Sequence, residues 1–389
     1  MMDHKRFRVN SHGYENGAPT RPSLWQRPHG KMESMKNEIL KQLAIAYLSG
    51  QDFVSGAKLA HDLGVSRTAA SKAIQTLTVS GLPIDSVKHH GYRLAFLPDL
   101  MLEPLLNAAF ARQHWQAISP VAHAFASVDS TNLAARRGAD AKDPTGSVYV
   151  AEEQTAGRGR RGKSWRSAAG EGLWFSLLLK PDLPPEQLAP VTLFAGLCAA
   201  TSLRDLTGLE IQLKWPNDLV ILPEGRKVGG ILTEMLVEEN QVAAVIVGIG
   251  INVHTLDFPE DLQAMATSLD LALQAGGPLE QHRNLNRIDL LTAVLAEWDC
   301  RWPQFLAESP DLGPNPGNGS GKASWISDYR TICATLGRPV EVHAATGEIW
   351  SGVAEQLAPG GDLLVRRSDG ALIQVSAGDV SVRGLLGYQ

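Results

Sequence analysis

From Met35 onward apolar residues recur every three or four positions. Ile39, Leu40, Leu43, Ala46 and Tyr47 fall on one face of a helix. Ser49-Gly50-Gln51-Asp52 ends that pattern. Ser55 is a candidate N-cap for a second, short helix through Leu63, closed by Gly64. Ser66 caps a third helix, Arg67 to Ser80, whose core face is Ala70, Ala73, Ile74 and Leu77. Arg67, Thr68, Ser71, Lys72 and Gln75 face outward. Ile84 to Leu94 then reads as a β-hairpin with its tip near His89 to Gly91. Helix, turn, helix and hairpin in this order predict a winged helix-turn-helix over residues 36–98. Residues 1–35 lack periodicity and read as a disordered extension.

Pro98 to Pro104 links this unit to a long middle region in which strand-like and helix-like runs alternate. Gly172 to Leu179 reads as a buried strand and Gln241 to Val247 as another. Pro190 to Leu206 reads as a helix rich in Ala and Leu. Leu290 to Leu306 reads as a helix with Leu290, Leu291, Val294, Leu295 and Trp298 on one side. Antiparallel hairpins with intervening helices predict an α+β domain with a mixed sheet over residues 99–328. Within it, Ser309 to Gly321 is a Pro/Gly-rich tract that cannot bury apolar surface and reads as an exposed, mobile insertion. Short strands separated by Gly-rich turns follow: Val340 to Val342, Ile349 to Ala354, Leu363 to Val365 and Ala371 to Val375. They predict a small all-β barrel over residues 329–389.

The length of 389 residues agrees with two or three domains, and 44% hydrophobic residues suffice for a sizeable core. No apolar run approaches the ~20 residues of a membrane span. Met1 to Gly30 holds no apolar stretch of the kind a signal peptide needs, so a cytoplasmic protein is expected. Cys198, Cys300 and Cys333 are far apart, without zinc-ligand spacing, and read as small buried hydrophobes. Net charge is −5 but uneven: residues 1–98 hold 13 Lys/Arg against 7 Asp/Glu, and the rest hold 23 against 34. A basic end on an acidic body points toward nucleic acid at that end. The small and polar outer face of the third helix fits a helix that enters a major groove. Small three-helix domains also serve protein contacts; charge, exposed face and wing together favour DNA. His89-His90 has no partners at metal spacing and reads as a wing turn, solvated or touching phosphate.

Three motifs carry chemistry. Gly157-Arg158-Gly159-Arg160-Arg161-Gly162 follows a strand, Ser147 to Glu152. Glycines let backbone N–H groups line an anion-binding concavity, and arginine adds a planar fork for phosphate or carboxylate. The run is neither a Walker A loop nor a dinucleotide-binding loop. Taken alone it fits a flexible basic surface loop equally well. Lys214-Trp215-Pro216-Asn217-Asp218 breaks that tie, because it places a lysine at the end of one apolar run and a turn into the next. Asp129-Ser130-Thr131-Asn132 lies upstream and also suits ordinary helix capping.

In this order the three motifs, followed by Lys227-Val228-Gly229-Gly230-Ile231-Leu232 and Val247 to Val253, resemble those of the biotin–protein ligases. The resemblance covers roughly residues 38 to 389. The related lipoate ligases are not expected to carry the arginine loop together with the Lys-Trp-Pro-Asn-Asp turn. The resemblance implies a class II synthetase-like ligase domain and an SH3-like C-terminal barrel. It implies biotin and ATP as substrates, Mg²⁺ with the ATP, and biotinyl-5′-AMP as intermediate. The partners implied are a biotin carboxyl carrier domain, operator DNA and a second copy of the chain.

A carboxylate must be activated before an amine can attack it, and the two anions must be held together and shielded from water. Lys214 is the candidate central cation, and Arg158 and Arg160 the candidates to close over the adenylate. Gly157, Gly159 and Gly162 would line the loop, and Arg161 fits a solvated role as well as a bound one. Ser130, Thr131, Asn132 and Gln154 would read the ureido head of biotin, which offers one acceptor and two donors. Trp165 and Trp174 are candidates for an apolar wall or for plain core. Gly230 would permit close backbone approach. Asp218 and Asn252 lie in motifs near the metal by resemblance, without assignable ligands. Whether Arg383 helps hold adenine stays open. Glu152-Glu153 is not read as a general acid/base pair. Two rival readings remain: a regulator that senses ligand without ligating, and a lipoate or octanoate ligase on the same scaffold.

Overall fold

A computed structural model describes residues 30–238, 241–275, 285–308, 324–343, 348–376 and 379–382. Residues 1–29 of the expected extension, the insertion at 309–321 and Arg383 lie outside the described residues.

The winged helix is formed by α1 (Lys31–Leu48), α2 (Gly56–Asp62), α3 (Arg67–Val79) and the antiparallel pair β1 (Ile84–Val87) and β2 (Gly91–Leu94). One correction applies to its start. Residues 31–35, expected in the disordered extension, form the first turn of α1. The reason is local: Met35 is buried, and Glu33 pairs with Lys36 at 2.5 Å along the same face. Ser55 and Ser66 cap as expected, their hydroxyls accepting from the Lys58 and Ala69 backbone N–H at 3.1 Å. Ala70, Ala73, Ile74 and Leu77 are buried, while Arg67, Thr68, Ser71, Lys72 and Gln75 are exposed. A bridge between Val54 and Tyr92 ties the wing to the helices.

The central domain follows in the order α4 (Glu103–Phe110), β3 (Val121–Val128), α5 (Thr131–Asp140), β4 (Ser147–Gln154), β5 (Gly172–Leu179), α6 (Pro185–Leu188), α7 (Val191–Thr207), β6 (Ile211–Lys214), β7 (Asp218–Ile221), β8 (Arg226–Glu238), β9 (Gln241–Asn252), α8 (Glu260–Gln263), α9 (Leu269–Ala275), α10 (Arg287–Glu308) and α11 (Ser324–Thr331). Its seven strands form a mixed sheet, β3-β4-β5-β9-β8-β7-β6, parallel only between β3 and β4. Strand β5 is buried along its whole length, so both faces of the sheet are covered. Leu173, Phe175, Leu177 and Leu179 join the main core, which includes an aromatic cluster where Phe194 of α7 meets Trp298 and Trp302 of α10 and Trp325 of α11. Alternation turns Trp174, Ser176 and Leu178 to the other face, where Leu178 packs with Ala134 and Ala135 of α5.

The C-terminal domain is a five-stranded antiparallel sheet of β10 (Pro339–His343), β11 (Ile349–Leu357), β12 (Leu363–Arg366), β13 (Leu372–Val375) and β14 (Asp379–Val382), ordered β13-β12-β11-β10-β14. Strand β14 adds to the four strands expected. Trp215 docks this domain onto the sheet: its indole N–H donates to the Gly361 carbonyl and its backbone N–H to Thr335 Oγ1, both at 2.9 Å.

The segment expected to be a simple linker, Pro98 to Pro104, is bolted to the sheet. Met101 and Leu102 are buried, and Asp99 receives the Arg287 side chain at 3.0 Å. Arg287 is 2% exposed and also donates to Glu152 Oε2 at 2.8 Å and to the Gly172 carbonyl at 3.1 Å. Glu152 in turn accepts from the Met101 backbone N–H. This accounts for Glu152 as a structural carboxylate and not half of an acid/base pair. His254 donates to Asp99 at 2.9 Å and to Asp270 at 2.8 Å. Burial alone would lower the His254 pKa, but the two carboxylates outweigh it and push it up to about 9. Burial likewise opposes ionisation of Asp99, yet Arg287 and His254 hold its carboxyl below the usual range.

Two predictions follow from this node. Arg287→Met strands the buried Glu152 and the partly buried Asp99 and should cost about 3–5 kcal/mol of stability; urea unfolding measures it, and a loss within experimental error would refute the node's importance. The raised His254 pKa means that its contribution is fully present below about pH 6.5 and fades as pH rises through about 9. Stability of the parent relative to His254→Gln should therefore fall across that window by on the order of 3 kcal/mol. A difference independent of pH would count against a charged His254.

Candidate active site

The cleft is built where sheet register meets small residues. On β9, Gly250 is the register partner of Trp174 and of Gly230, and Gly248 is the partner of Ser176 and Leu232. Side chains at these glycines would collide: a Cβ at Gly248 would come within 2.1 Å of Asn132 Oδ1, and one at Gly250 within 2.7 Å of Trp165 Nε1. The missing side chains leave a trough on the α5 face of the sheet. The trough is a cleft of about 280 Å³, walled by the start of α5, the arginine loop, Trp165 and the Lys214 turn.

Ser130, Thr131, Asn132 and Gln154 all line one end of the cleft. Ser130 stands at the N-cap position of α5, but its side chain makes no cap hydrogen bond, contrary to the ordinary capping role that this motif also suited. Gln154 Oε1 accepts from the Thr131 backbone N–H at 2.8 Å, and its amide donates to Ser167 Oγ at 2.7 Å. Ser176, wholly buried beneath, donates its hydroxyl proton to Asn132 Oδ1 at 2.6 Å, and its oxygen lies 2.8 Å from Thr131 Oγ1. The Asn132 amide also donates to Glu234 Oε2 at 2.8 Å. Asn132 is therefore held rigidly, and its rotamer is set by groups outside the motif. Asp129 is bound at the surface by Arg137.

The arginine loop is a tight excursion between β4 and β5. Gly159 N–H donates to the Lys163 carbonyl at 2.7 Å and Trp165 N–H to the Gly157 carbonyl at 2.9 Å. Gly157 is required by close approach, since a Cβ there would lie 2.3 Å from the Trp165 carbonyl. A one-turn 3₁₀ helix spans Arg160–Gly162, with Arg161 at φ 55°. Arg158, Gly159, Arg160 and Arg161 line the cleft; Gly157 and Gly162 shape the loop without lining it. Arg158 pairs with Glu234 at 3.1 Å, and Arg160 donates to Asn217 Oδ1 at 3.1 Å. Asn217 is itself fixed by donation to the Ile231 carbonyl.

Lys214 ends β6 and is 4% exposed, although it lines the cleft. Burial pulls its pKa down, Asp218 pulls it back, and neighbouring Lys227 lowers it again. Asp218 is bound by Lys227 at 2.6 Å. An anion entering beside Lys214 would relieve both the desolvation and the repulsion between the two lysines. Trp165 walls the cleft with Lys227 Nζ 5.1 Å from its ring centre, and Gly230 forms part of the floor. Trp174 instead belongs to the core behind, edge-on to Trp165 with ring centres 6.3 Å apart.

A second lobe of about 140 Å³ shares Trp165, Lys214, Asp218 and Lys227 with the first. Its far wall is Phe258, Leu262, Met265 and Ala266, and Asn252 lies here, donating to the Thr267 carbonyl. These apolar residues escaped sequence reasoning because they lie in a segment of short, irregular structure around α8. Ser176 and Glu234 were missed as well. A serine inside the apolar run Leu173 to Leu179 was a readable signal; Glu234, on a long strand with alternating exposure, offered none. Glu341 and His343 of β10 also reach the first lobe, and no motif pointed to them. Among the described residues no group of three or more His, Cys, Asp or Glu is placed to hold a metal, and no helix is long and apolar enough to cross a membrane.

The family models for an HTH domain, the biotin/lipoate A/B protein ligase family and the biotin protein ligase C-terminal domain match residues 39–93, 124–252 and 335–383. The bifunctional ligase/repressor BirA of Escherichia coli is 30% identical over 357 residues, covering 90% of this chain and 99% of that protein. That of Bacillus subtilis is 36% identical over 264 residues, 66% of this chain and 76% of the relative. Among solved structures, the biotin protein ligase of Aquifex aeolicus in complex with biotin and ATP superposes with a TM-score of 0.51 at 27% identity, over 67% of this chain and 98% of that one. With its winged helix, ligase sheet and C-terminal domain each matched in order, the chain belongs to the BirA-like family of bifunctional biotin ligase/repressors.

Proposed function

We propose that the chain is an ATP-dependent biotin–protein ligase that also binds operator DNA in response to biotin. The observation that carries the ligase reading is Lys214, buried with a depressed pKa at the junction of a polar lobe and an apolar lobe. The polar lobe, with Ser130, Thr131 and Gln154, suits the ureido head of biotin, and Asn132 positions that end. The apolar lobe of Phe258, Leu262 and Met265 suits the flat face of adenine. The biotin carboxylate and the α-phosphate of ATP would then meet beside Lys214. The lysine offsets their mutual repulsion, and the carboxylate oxygen attacks phosphorus as diphosphate leaves. Arg158 and Arg160 close over the acyl-adenylate and keep water from the anhydride. A lysine of a carrier domain then attacks the carbonyl carbon, and AMP departs.

Among the described residues Mg²⁺ finds no cage of protein carboxylates. Asp218, the carboxylate nearest Lys214 in the cleft, is already held by Lys227. The described residues do not by themselves build a metal site.

The operator-binding half rests on α3, whose outward residues are exposed in a basic domain. Residues 36–98 are proposed as the DNA-binding unit and 99–328 plus 329–389 as the ligase. A two-fold operator would be read by a homodimer formed when the adenylate is bound.

Lys214→Ala should fold and lose adenylate formation by about 30- to 1000-fold, the cost of removing a charged contact to the transition state. Biotin- and ATP-dependent diphosphate release measures it; a near-parental rate removes Lys214 from the chemistry, and activity with lipoate but not biotin would favour the rival substrate. The fragment 99–389 should still label a carrier domain, with lowered stability because α4 loses its packing against α1. Full-length protein should bind operator DNA, more tightly with biotin plus ATP and more weakly as salt rises. DNA binding indifferent to both salt and ligand would refute the repressor half.

A further inference from the structure

The ligase cleft is rich in cations. Arg158, Arg160, Arg161, Lys163, Lys214 and Lys227 all line it. They suit anions, and none suits the other requirement of acyl transfer. The acceptor is a lysine, which at neutral pH is an ammonium ion and not a nucleophile. It must lose a proton inside a cleft whose field already repels positive charge.

Two lining residues have the opposite character, and both come from the C-terminal domain. Glu341 and His343 stand two residues apart on β10, so their side chains share one face of the strand. His343 Nε2 lies 2.9 Å from Glu341 Oε1. The side chains are 37% and 40% exposed, which puts them at the rim and not on the floor. Asp218, the remaining lining carboxylate, is committed to Lys227. Around the pair, the register partners of His343 are Ile349 of β11 and Asp379 of β14, and those of Glu341 are Ser351 and Ser381.

We propose that Glu341 and His343 form the acceptor-lysine station of the ligase: Glu341 draws the incoming ammonium to the rim, and His343 takes its proton. This rests on the ligase reading and deepens it. Glu341 accepts from the His343 Nε2–H, which leaves Nδ1 as the basic nitrogen. The acceptor ε-ammonium gives one proton to Nδ1. Its lone pair attacks the acyl carbon, a C–N bond forms, and the C–O bond to AMP breaks with the electron pair leaving on the phosphate oxygen. The second nitrogen proton goes to solvent as the amide forms. The first half-reaction involves no amine and makes no use of the pair.

The test separates the halves of the reaction in the full-length protein. Preformed biotinyl-adenylate is mixed with a carrier domain in single turnover, for the parent, His343→Ala and Glu341→Gln. Transfer should fall about 100-fold at neutral pH for His343→Ala, and less for Glu341→Gln. The parent rate should rise with pH and then level off, whereas the His343→Ala rate should keep climbing as the free amine accumulates. Added imidazole should restore part of the His343→Ala rate. Hydroxylamine, already uncharged at neutral pH, should be acylated equally by all three proteins. Diphosphate release in the first half-reaction reports folding and the ligase reading separately. Its absence in the parent protein would sink that reading and, with it, the station. Its presence with unchanged carrier transfer in His343→Ala, or with equal loss toward lysine and hydroxylamine, would overturn the station alone.

Discussion

The buried guanidinium of Arg287 is the constraint on which the rest is assembled. It begins α10, reaches Glu152 on β4 and Asp99 ahead of α4, and so joins three parts of the chain more than 50 residues apart. An ion triad of this kind contributes little net energy over a well-packed apolar replacement, but it tolerates no partial version. Its value is positional. By fixing Asp99 it fixes where the winged helix leaves the ligase sheet, and through His254 it fixes the exit of β9. The wall of the apolar lobe begins immediately after that exit, at Thr255 and Phe258. The same few side chains thus set the seat of the winged helix and one wall of the apolar lobe.

The cleft depends on subtraction. A seven-stranded sheet covered on both faces has no room for a ligand unless side chains are removed from one row. Gly230, Gly248 and Gly250 remove them where β8, β9 and β5 run side by side. The space vacated is bounded by Trp165 and Asn132, both in contact distance of the positions a Cβ would take. Polar groups around it are held by other polar groups: Ser176 beneath Thr131 and Asn132, Glu234 between Asn132 and Arg158, Asn217 under Arg160. Such layered support is what keeps a site from reorganising as charge develops.

Much of this was legible in the sequence, for identifiable reasons. The winged helix could be read because its caps, Ser55 and Ser66, and its apolar period are local signals. The arginine loop and the Lys214 turn could be read because glycine and proline punctuate strands. What local signals cannot carry is register. That Gly248 faces Ser176, or that Gly250 faces Trp174, follows only from strand pairing across some 75 residues. Pro98 to Pro104 reads as a linker by composition, and only Glu152, His254 and Arg287, far along the chain, make it part of the core. The start of α1 was missed for a smaller reason: residues 31–36 make a helical turn whose single buried residue is Met35, too little periodicity to detect.

The C-terminal domain shows the same limit at its sharpest. Its strands are evident from alternation, yet nothing in Val340-Glu341-Val342-His343 marks it as anything but a short strand with alternate residues exposed. The role proposed for it depends on docking. Trp215, the neighbour of Lys214, donates its indole N–H to Gly361 and its backbone N–H to Thr335, so the residue that positions the central lysine also anchors the C-terminal sheet. Displacing that sheet would loosen the Lys214 turn and withdraw Glu341 and His343 from the rim together. A ligase whose first step needs cations and whose second needs a proton acceptor is served by drawing them from separate domains. A single loop dense enough to supply both would pair its arginines with its own acids and present neither to the ligand.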